Sequence, residues 1–297
     1  MIEKIHTGHL TGICPKRVEL TAKGYSLREV PSAMFRGTMW HNLVGALHGG
    51  EATNEPNDTL AYYRKEGRTV TAAAIASADE TLAELHELLE EYKTRVLPLV
   101  PSDAMQMVEV PIRGRVELMD KTYQFASHID LLIVHPGSSI EVWDWKTGVM
   151  PQSQAERSHQ LALYCALLSG FSGIGQWSAE LYCNPYGLGL DYVETRAERV
   201  TCAIVRVDNL KKYKKKTTLG DGTVMAAGES RPLSSIVTRL GSVTKAWEQE
   251  AIMRLRMMDR GMYPAIAGEH CTFCDCRAAC PTFLPLVGGN MGVADGK

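Results

Sequence analysis

The chain is 297 residues long, 45% hydrophobic and 22% charged, with a formal net charge of −2. This is enough apolar material for a packed core, and a charge so near neutral means that a nucleic-acid partner must be held by local basic patches, not by the field of the whole molecule. No apolar run approaches membrane-span length, and the opening MIEKIHTGHL lacks the basic segment and apolar stretch of a secretion signal, so a cytoplasmic protein with no membrane contact is expected.

The eight cysteines argue against a disulfide scaffold, because the cytoplasm keeps thiols reduced. Cys165, Cys183 and Cys202 stand singly among apolar residues and read as small core filler. Cys271, Cys274, Cys276 and Cys280 crowd together near the end, and Cys14 stands alone near the start.

No internal repeat is present. The segment AMFRGTMWHNLVGAL reads as a helix, with Met34, Trp40, Leu43, Val44 and Leu47 forming an incomplete apolar stripe. EATNEPNDT reads as a loop. In ASADETLAELHELLEEYKTRV, Leu82, Leu85, Leu88 and Leu89 fall on one face, which predicts an amphipathic helix within a helical segment over about 51–106. From Met107 the period turns strand-like. VEVPIRGRVEL, TYQFA, HIDLLIVH and SIEVWDWK are short and rich in β-branched or aromatic residues, with MDK and HPGSS between them, as in an antiparallel meander.

A helix follows over QSQAERSHQLALYCALLSG, then strands near QWSAELYCN and VTCAIVRVD separated by NPYGLGL. A lysine-rich stretch, NLKKYKKKTTLGDG, precedes a long helix over SSIVTRLGSVTKAWEQEAIMRLRMMDRG and the cysteine cluster. The layout is mixed α/β.

In a strand alternate side chains share a face, so Asp144 and Lys146 of EVWDWKTG point one way while Trp143 and Trp145 point the other. A hairpin through HPGSS brings Asp130 beside Asp144. Two carboxylates that close repel unless a cation sits between them, and a hard divalent ion such as Mg²⁺ or Mn²⁺ suits them. Such an ion supports phosphodiester hydrolysis, with Lys146 orienting the water or offsetting transition-state charge. On Asp-x-Lys alone, a surface ion pair is the better reading. Gln160 and Tyr164 form an i, i+4 polar pair on the next helix, and His41 offers an imidazole after RGTMW.

Taken in order, His41 within GTMWH, Asp130, DWKTG and QLALY resemble the successive motifs of the RecB-type branch of the PD-(D/E)XK nucleases, which includes CRISPR-associated exonucleases and phage-encoded relatives. The resemblance implies a restriction-endonuclease-like core with a central mixed β-sheet flanked by helices. It implies that His41, Asp130, Asp144 and the main-chain carbonyl of Trp145 bind metal, that Lys146 is catalytic with Asp144 and Asp130, and that Gln160 and Tyr164 support it. Glu109 matches an acidic position that some members carry. The chain departs from the pattern just before Asp130, where Ser127 and His128 replace the usual glycine.

Cys271, Cys274 and Cys280 are spaced C-x2-C-x5-C, one ligand short of four. In the same nuclease branch one early and three late cysteines hold a 4Fe-4S cluster, and the resemblance assigns Cys14, Cys271, Cys274 and Cys280 to it, with Cys276 a bystander. The competing reading is a structural Zn²⁺ site from the local four, which is easier to close but leaves Cys14 unexplained. A cluster joining the ends implies one nuclease domain over 1–297.

The run Lys211, Lys212, Tyr213, Lys214, Lys215 and Lys216 has the charge and the ring to track phosphates and stack on a base; a solvated loop reads equally well. Lys16, Arg17 and Arg36 are further candidates for phosphate contact. The expected function is a metal-dependent DNA nuclease, an exonuclease acting on DNA ends or single strands, with a recombination or CRISPR-type protein partner in keeping with the resemblance. The alternatives are a non-catalytic subunit that keeps the nuclease fold and a zinc-stapled DNA-binding protein.

Overall fold

The computed structural model describes residues 2–6, 14–23, 25, 29–136, 139–148, 150–181, 193–194, 199–219, 222–240, 243–266, 274, 276 and 279–281. In chain order, β1 (Ile2–His6) is followed by α1 (Pro15–Ala22), β2 (Glu29–Val30), α2 (Ser32–Leu47), α3 (Asn57–Lys65), β3 (Thr69–Val70), α4 (Ala72–Ala76) and α5 (Ala78–Arg95). The middle of the chain supplies β4 (Met105–Glu117), β5 (Thr122–His135), β6 (Ser139–Lys146), α6 (Gln152–Ala155) and α7 (His159–Leu168). Then come β7 (Gln176–Leu181), β8 (Val193–Glu194), β9 (Arg199–Arg206), β10 (Thr217–Thr218), β11 (Val224–Met225), α8 (Leu233–Ile236), β12 (Val237–Leu240) and α9 (Lys245–Asp259).

The meander expected from the alternation forms the middle of an eight-stranded mixed sheet, ordered β12-β9-β6-β5-β4-β7-β8 with β1 also beside β5. TYQFA and HIDLLIVH are one continuous strand, β5, because both halves find partners on the same edge. Residues 122–126 pair parallel with β1, and residues 131–135 pair antiparallel with β6. The edge beyond β6 is parallel β9, and β12 closes it antiparallel.

Helices cover both faces, as the amphipathic patterns require. On one face, Phe35, Met39, Trp40 and Val44 of α2 pack with Leu85, Leu88, Leu89 and Tyr92 of α5 over Trp143, Trp145, Leu131 and Val205. On the other, α7 and α9 cover Val142, Leu132, Ile204 and Ile112. The two faces of EVWDWKTG therefore divide as alternation predicts, with both tryptophans under the helices. Helix α5 also carries Asp79 and Glu80 in its first turn and Lys93 and Arg95 in its last, which complements its dipole.

Three expectations are corrected. The helix over QSQAERSHQLALYCALLSG is interrupted between α6 and α7, and the second helix starts where Ser158 Oγ accepts from the Leu161 amide at 3.3 Å. EATNEPNDT is a loop only as far as Pro56; its Asn and Asp begin α3, where Asp58 Oδ2 accepts from the Asn54 amide at 2.6 Å. Asn, Asp and Thr favour helix starts as well as loops, and composition alone does not separate the two. The long helix over SSIVTRL is broken: β-branched Val237 and Thr238 extend the sheet edge against Val205 and Ile204, and the helix restarts where Thr244 Oγ1 accepts from the Trp247 amide at 3.1 Å. No helix among the described residues is long and apolar enough to cross a membrane.

Candidate active site

The site begins with a break in strand alternation. Val110 and Ile129 face the core under α7, whereas Val108 and Leu131, two residues away on each strand, face the core under α2. A regular strand keeps positions two apart on one face, so both strands rotate between them, at Glu109 and Asp130. Glu109 has φ of 49°, in the left-handed region that a side chain disfavours. The pairing of Val108 with Leu131 and Val110 with Ile129 sets Glu109 opposite Asp130. Extending the pairing of Leu131 with Trp143 by one step sets Asp130 opposite Asp144. Three carboxylates thus form a row across β4, β5 and β6.

Helix α2 adds the imidazole. It approaches the end of β6 so closely that a Cβ on Gly37 would lie 3.2 Å from Thr147 Oγ1. One turn further on, His41 Nε2 lies 3.2 Å from the Trp145 carbonyl, while Nδ1 lies 3.6 Å from Glu109 Oε1 and 3.8 Å from Asp130 Oδ1. Donor atoms of His41, Glu109 and Asp130 all lie within 4.8 Å of one another. Burial works against charge on His41, but Asp130 and Glu109 outweigh it and raise its pKa to about 9. Burial pushes the Asp130 carboxyl up, and Asp144 adds to the effect while His41 opposes it. Asp130 Oδ2 accepts from the Trp145 amide at 2.9 Å.

Asp144 is 2% exposed, and its Oδ2 has no hydrogen-bond partner among the described residues. A buried, orphaned carboxylate oxygen beside an imidazole and two further carboxylates is a hard donor set, and it fits Mg²⁺ or Mn²⁺.

Lys146 Nζ donates to Asp144 Oδ1 at 2.8 Å and to Gln160 Oε1 at 3.3 Å. Burial lowers its pKa, but Asp144 and Asp130 more than compensate, so the ammonium is held charged. Gln160 Nε2 donates to the Tyr164 hydroxyl at 3.3 Å, and that hydroxyl donates to the His128 carbonyl at 2.9 Å. Ser127 Oγ lies 2.9 Å from the same hydroxyl. The structure therefore brings Asp144, Lys146, Gln160 and Tyr164 into one network, and the residues that replace the expected glycine anchor its far end. Ser127 carries no sequence signal for this role.

The site opens into a cleft of about 1020 Å³ lined by His41, Glu109, Trp145, Lys146, Tyr62 and Cys274 among others. Of the cysteines, Ile266 N donates to Cys14 Sγ at 3.5 Å, so the segment after α9 meets the start of α1. Cys276 is buried, and its thiol donates to the Tyr25 carbonyl at 2.6 Å. Cys165 and Cys202 are buried in contact, Sγ to Sγ 3.0 Å. Cys183 and Cys271 lie outside the described residues.

In the basic run, Lys211 pairs with Glu84 at 3.0 Å and Lys212 with Glu91, both on α5, while Lys214, Lys215 and Lys216 are exposed. The Tyr213 amide donates to the Glu229 carbonyl at 2.8 Å. Arg36 lies 2.6 Å from Asp208 and is engaged in that ion pair. Lys16 pairs with Glu19 at 2.5 Å.

A divalent-cation donor set beside a half-buried, charged lysine is the equipment of a hydrolytic metal centre. The family model described as the PD-(D/E)XK nuclease superfamily matches residues 13–281, and the chain belongs to that superfamily. A solved structure described as "Crystal structure of SSO0001" is similar at 12% identity with a TM-score of 0.43, covering 94% of this chain and 86% of that one; a likeness so distant carries no argument. No curated protein matches the chain.

Proposed function

We propose that the protein is a metal-dependent deoxyribonuclease, an exonuclease that cuts phosphodiester bonds at DNA ends or in single strands. The observation that carries this reading is the meeting of His41, Glu109 and Asp130 within 4.8 Å beside a buried Asp144 whose Oδ2 has no hydrogen-bond partner among the described residues. His41, Asp130, Asp144 and the Trp145 carbonyl would hold Mg²⁺ or Mn²⁺, with Glu109 a further donor. When bound, the cation would polarise the scissile phosphoryl group and lower the pKa of the attacking water. Lys146 keeps its proton on Nζ beside Asp144 and offers a fixed positive charge where negative charge grows on the phosphoryl oxygens. Gln160 and Tyr164 hold that ammonium in place. Lys214, Lys215 and Lys216 offer positive charge to the phosphate backbone beside Tyr213, with Lys211 and Lys212 already paired to Glu84 and Glu91 of α5.

The test is cleavage of end-labelled single- and double-stranded DNA with Mg²⁺ or Mn²⁺ by wild type, Asp144→Ala and Lys146→Ala. Both substitutions are expected to abolish cleavage and leave DNA binding largely intact. Cleavage by the variants at the wild-type rate would defeat the reading.

The same reading places a 4Fe-4S cluster on Cys14, Cys271, Cys274 and Cys280, with residues 1–297 as one nuclease domain and a recombination or CRISPR-type complex as its setting. The Ile266 contact to Cys14 supports the meeting of early and late segments. Cys276, buried against the Tyr25 carbonyl, suits a bystander better than a zinc ligand.

A further inference from the structure

The metal chemistry leaves one ring in the cleft unexplained. Tyr62, on α3, lines the same cleft as His41, Glu109 and Lys146 and is 51% exposed. Its neighbour Tyr63 turns inward, 3% exposed, with its hydroxyl 2.6 Å from Thr38 Oγ1 of α2. The two rings meet edge to face with centroids 5.1 Å apart, so the buried ring braces the exposed one. The Arg68 guanidinium lies 5.5 Å from the Tyr63 ring centroid and also lines the cleft. It contacts that ring and Met34 Sδ, and no carboxylate neutralises it among the described residues.

The platform is fixed relative to the metal donors. Glu55, buried just before α3, accepts from Asn42 Nδ2 at 2.5 Å and from Thr59 Oγ1 at 2.6 Å. Asn42 follows His41 directly, so the clamp that holds α3 to α2 sits one residue from the imidazole.

We propose that Tyr62 stacks on an unpaired base of the strand being cut, and that Arg68 contacts a phosphate of the same strand. This rests on the nuclease reading of the site and narrows its substrate to single-stranded DNA, including the frayed end of a duplex. Inside a paired duplex each base has both faces covered by its neighbours, whereas an unpaired strand can offer a free π-face at every base. An unneutralised guanidinium lining the same cleft tracks the backbone whatever the sequence.

The experiment is equilibrium binding without added divalent cation, using a short labelled single strand of mixed sequence, the same strand with its bases replaced by abasic sites, and a blunt duplex. Wild type, Tyr62→Ala, Tyr62→Phe and Arg68→Ala are compared over a range of salt. Tyr62→Ala is expected to weaken single-strand binding by about 5- to 100-fold, with Tyr62→Phe within about twofold of wild type. Binding of the abasic strand and the duplex is expected to be unchanged by either. Arg68→Ala is expected to flatten the salt dependence by about 0.7 in the logarithmic slope. Equal single-strand affinity for wild type and Tyr62→Ala, or equal loss on the abasic strand and duplex, overturns the proposal. Absence of metal-dependent cleavage by wild type defeats the nuclease reading instead, so the two failures are distinguishable.

Discussion

At Glu109 the conformation and the donor role pull in opposite directions. A non-glycine residue at φ 49° is held in a disfavoured region, and strain of this kind concentrates at functional sites. Glu109→Gly removes both the strain and a like charge beside Asp130, so unfolding by urea should show a gain of about 1 kcal/mol. The same variant should bind Mn²⁺ more weakly in a calorimetric titration. A loss of stability would show that Glu109 is not strained for function. His48 makes a second prediction. The Trp145 Nε1 donates to the Tyr92 hydroxyl at 3.3 Å, that hydroxyl lies 2.8 Å from His48 Nε2, and His48 Nδ1 lies 2.5 Å from Gln106 Oε1. This chain of donors needs a neutral imidazole, and burial holds the His48 pKa below the usual imidazole value of 6.5. Below that value the unfolded chain binds a proton that the folded chain does not, so stability rises with pH in this range and is lost on acidification. His48→Gln should therefore lose less stability than wild type between pH 7 and 5, measured as urea midpoints. An equal loss would remove His48 from the acid response.

Among the elements, the turn into β7 depends on a single buried side chain of α9. Glu248 is 1% exposed and accepts from the amides of Ile174 and Gly175 and from Trp177 Nε1, each at 3.0 Å. Glu248→Ala would strand three donors, and a loss of about 3 kcal/mol is expected in chemical denaturation. Gly173 lets the backbone come this close, since a Cβ there would lie 2.2 Å from Glu248 Oε2. A thermal midpoint for Gly173→Ala equal to wild type would show that the carboxylate moves freely. Elements with strong periodicity, such as α5 and the strands β4 to β6, were legible in the sequence because burial imposes the pattern directly. The start of α3 was not, since its first residues resemble a loop, and neither was β12, whose β-branched residues become a strand only because β9 offers an open edge. The candidate site was legible in the same uneven way. Asp144 and Lys146 share a face in any regular strand, but Glu109 enters through a rotation of the backbone that no alternation rule contains. Tyr62 lies within the segment read as helical, but nothing in the sequence turns its ring toward the cleft.

Across the whole molecule, the residues that meet at the site come from α2, β4, β5, β6 and α7, far apart in sequence and joined by one sheet. If Cys14 and the late cysteines hold one cluster, the chain ends are tied across that sheet. Cys14→Ala should then lose iron and acid-labile sulfide and lower the thermal midpoint, whereas Cys276→Ala should keep the iron. Full iron in Cys14→Ala would favour a local site. Catalysis at this site requires both the metal and the lysine. That requirement is tested most directly by the rate of end-labelled DNA cleavage as Mn²⁺ is titrated, for wild type and Lys146→Ala at matched DNA occupancy. A saturable rise in the wild-type rate, with the variant at background, is predicted; a wild-type rate indifferent to metal, or a variant that cuts equally well, would contradict it.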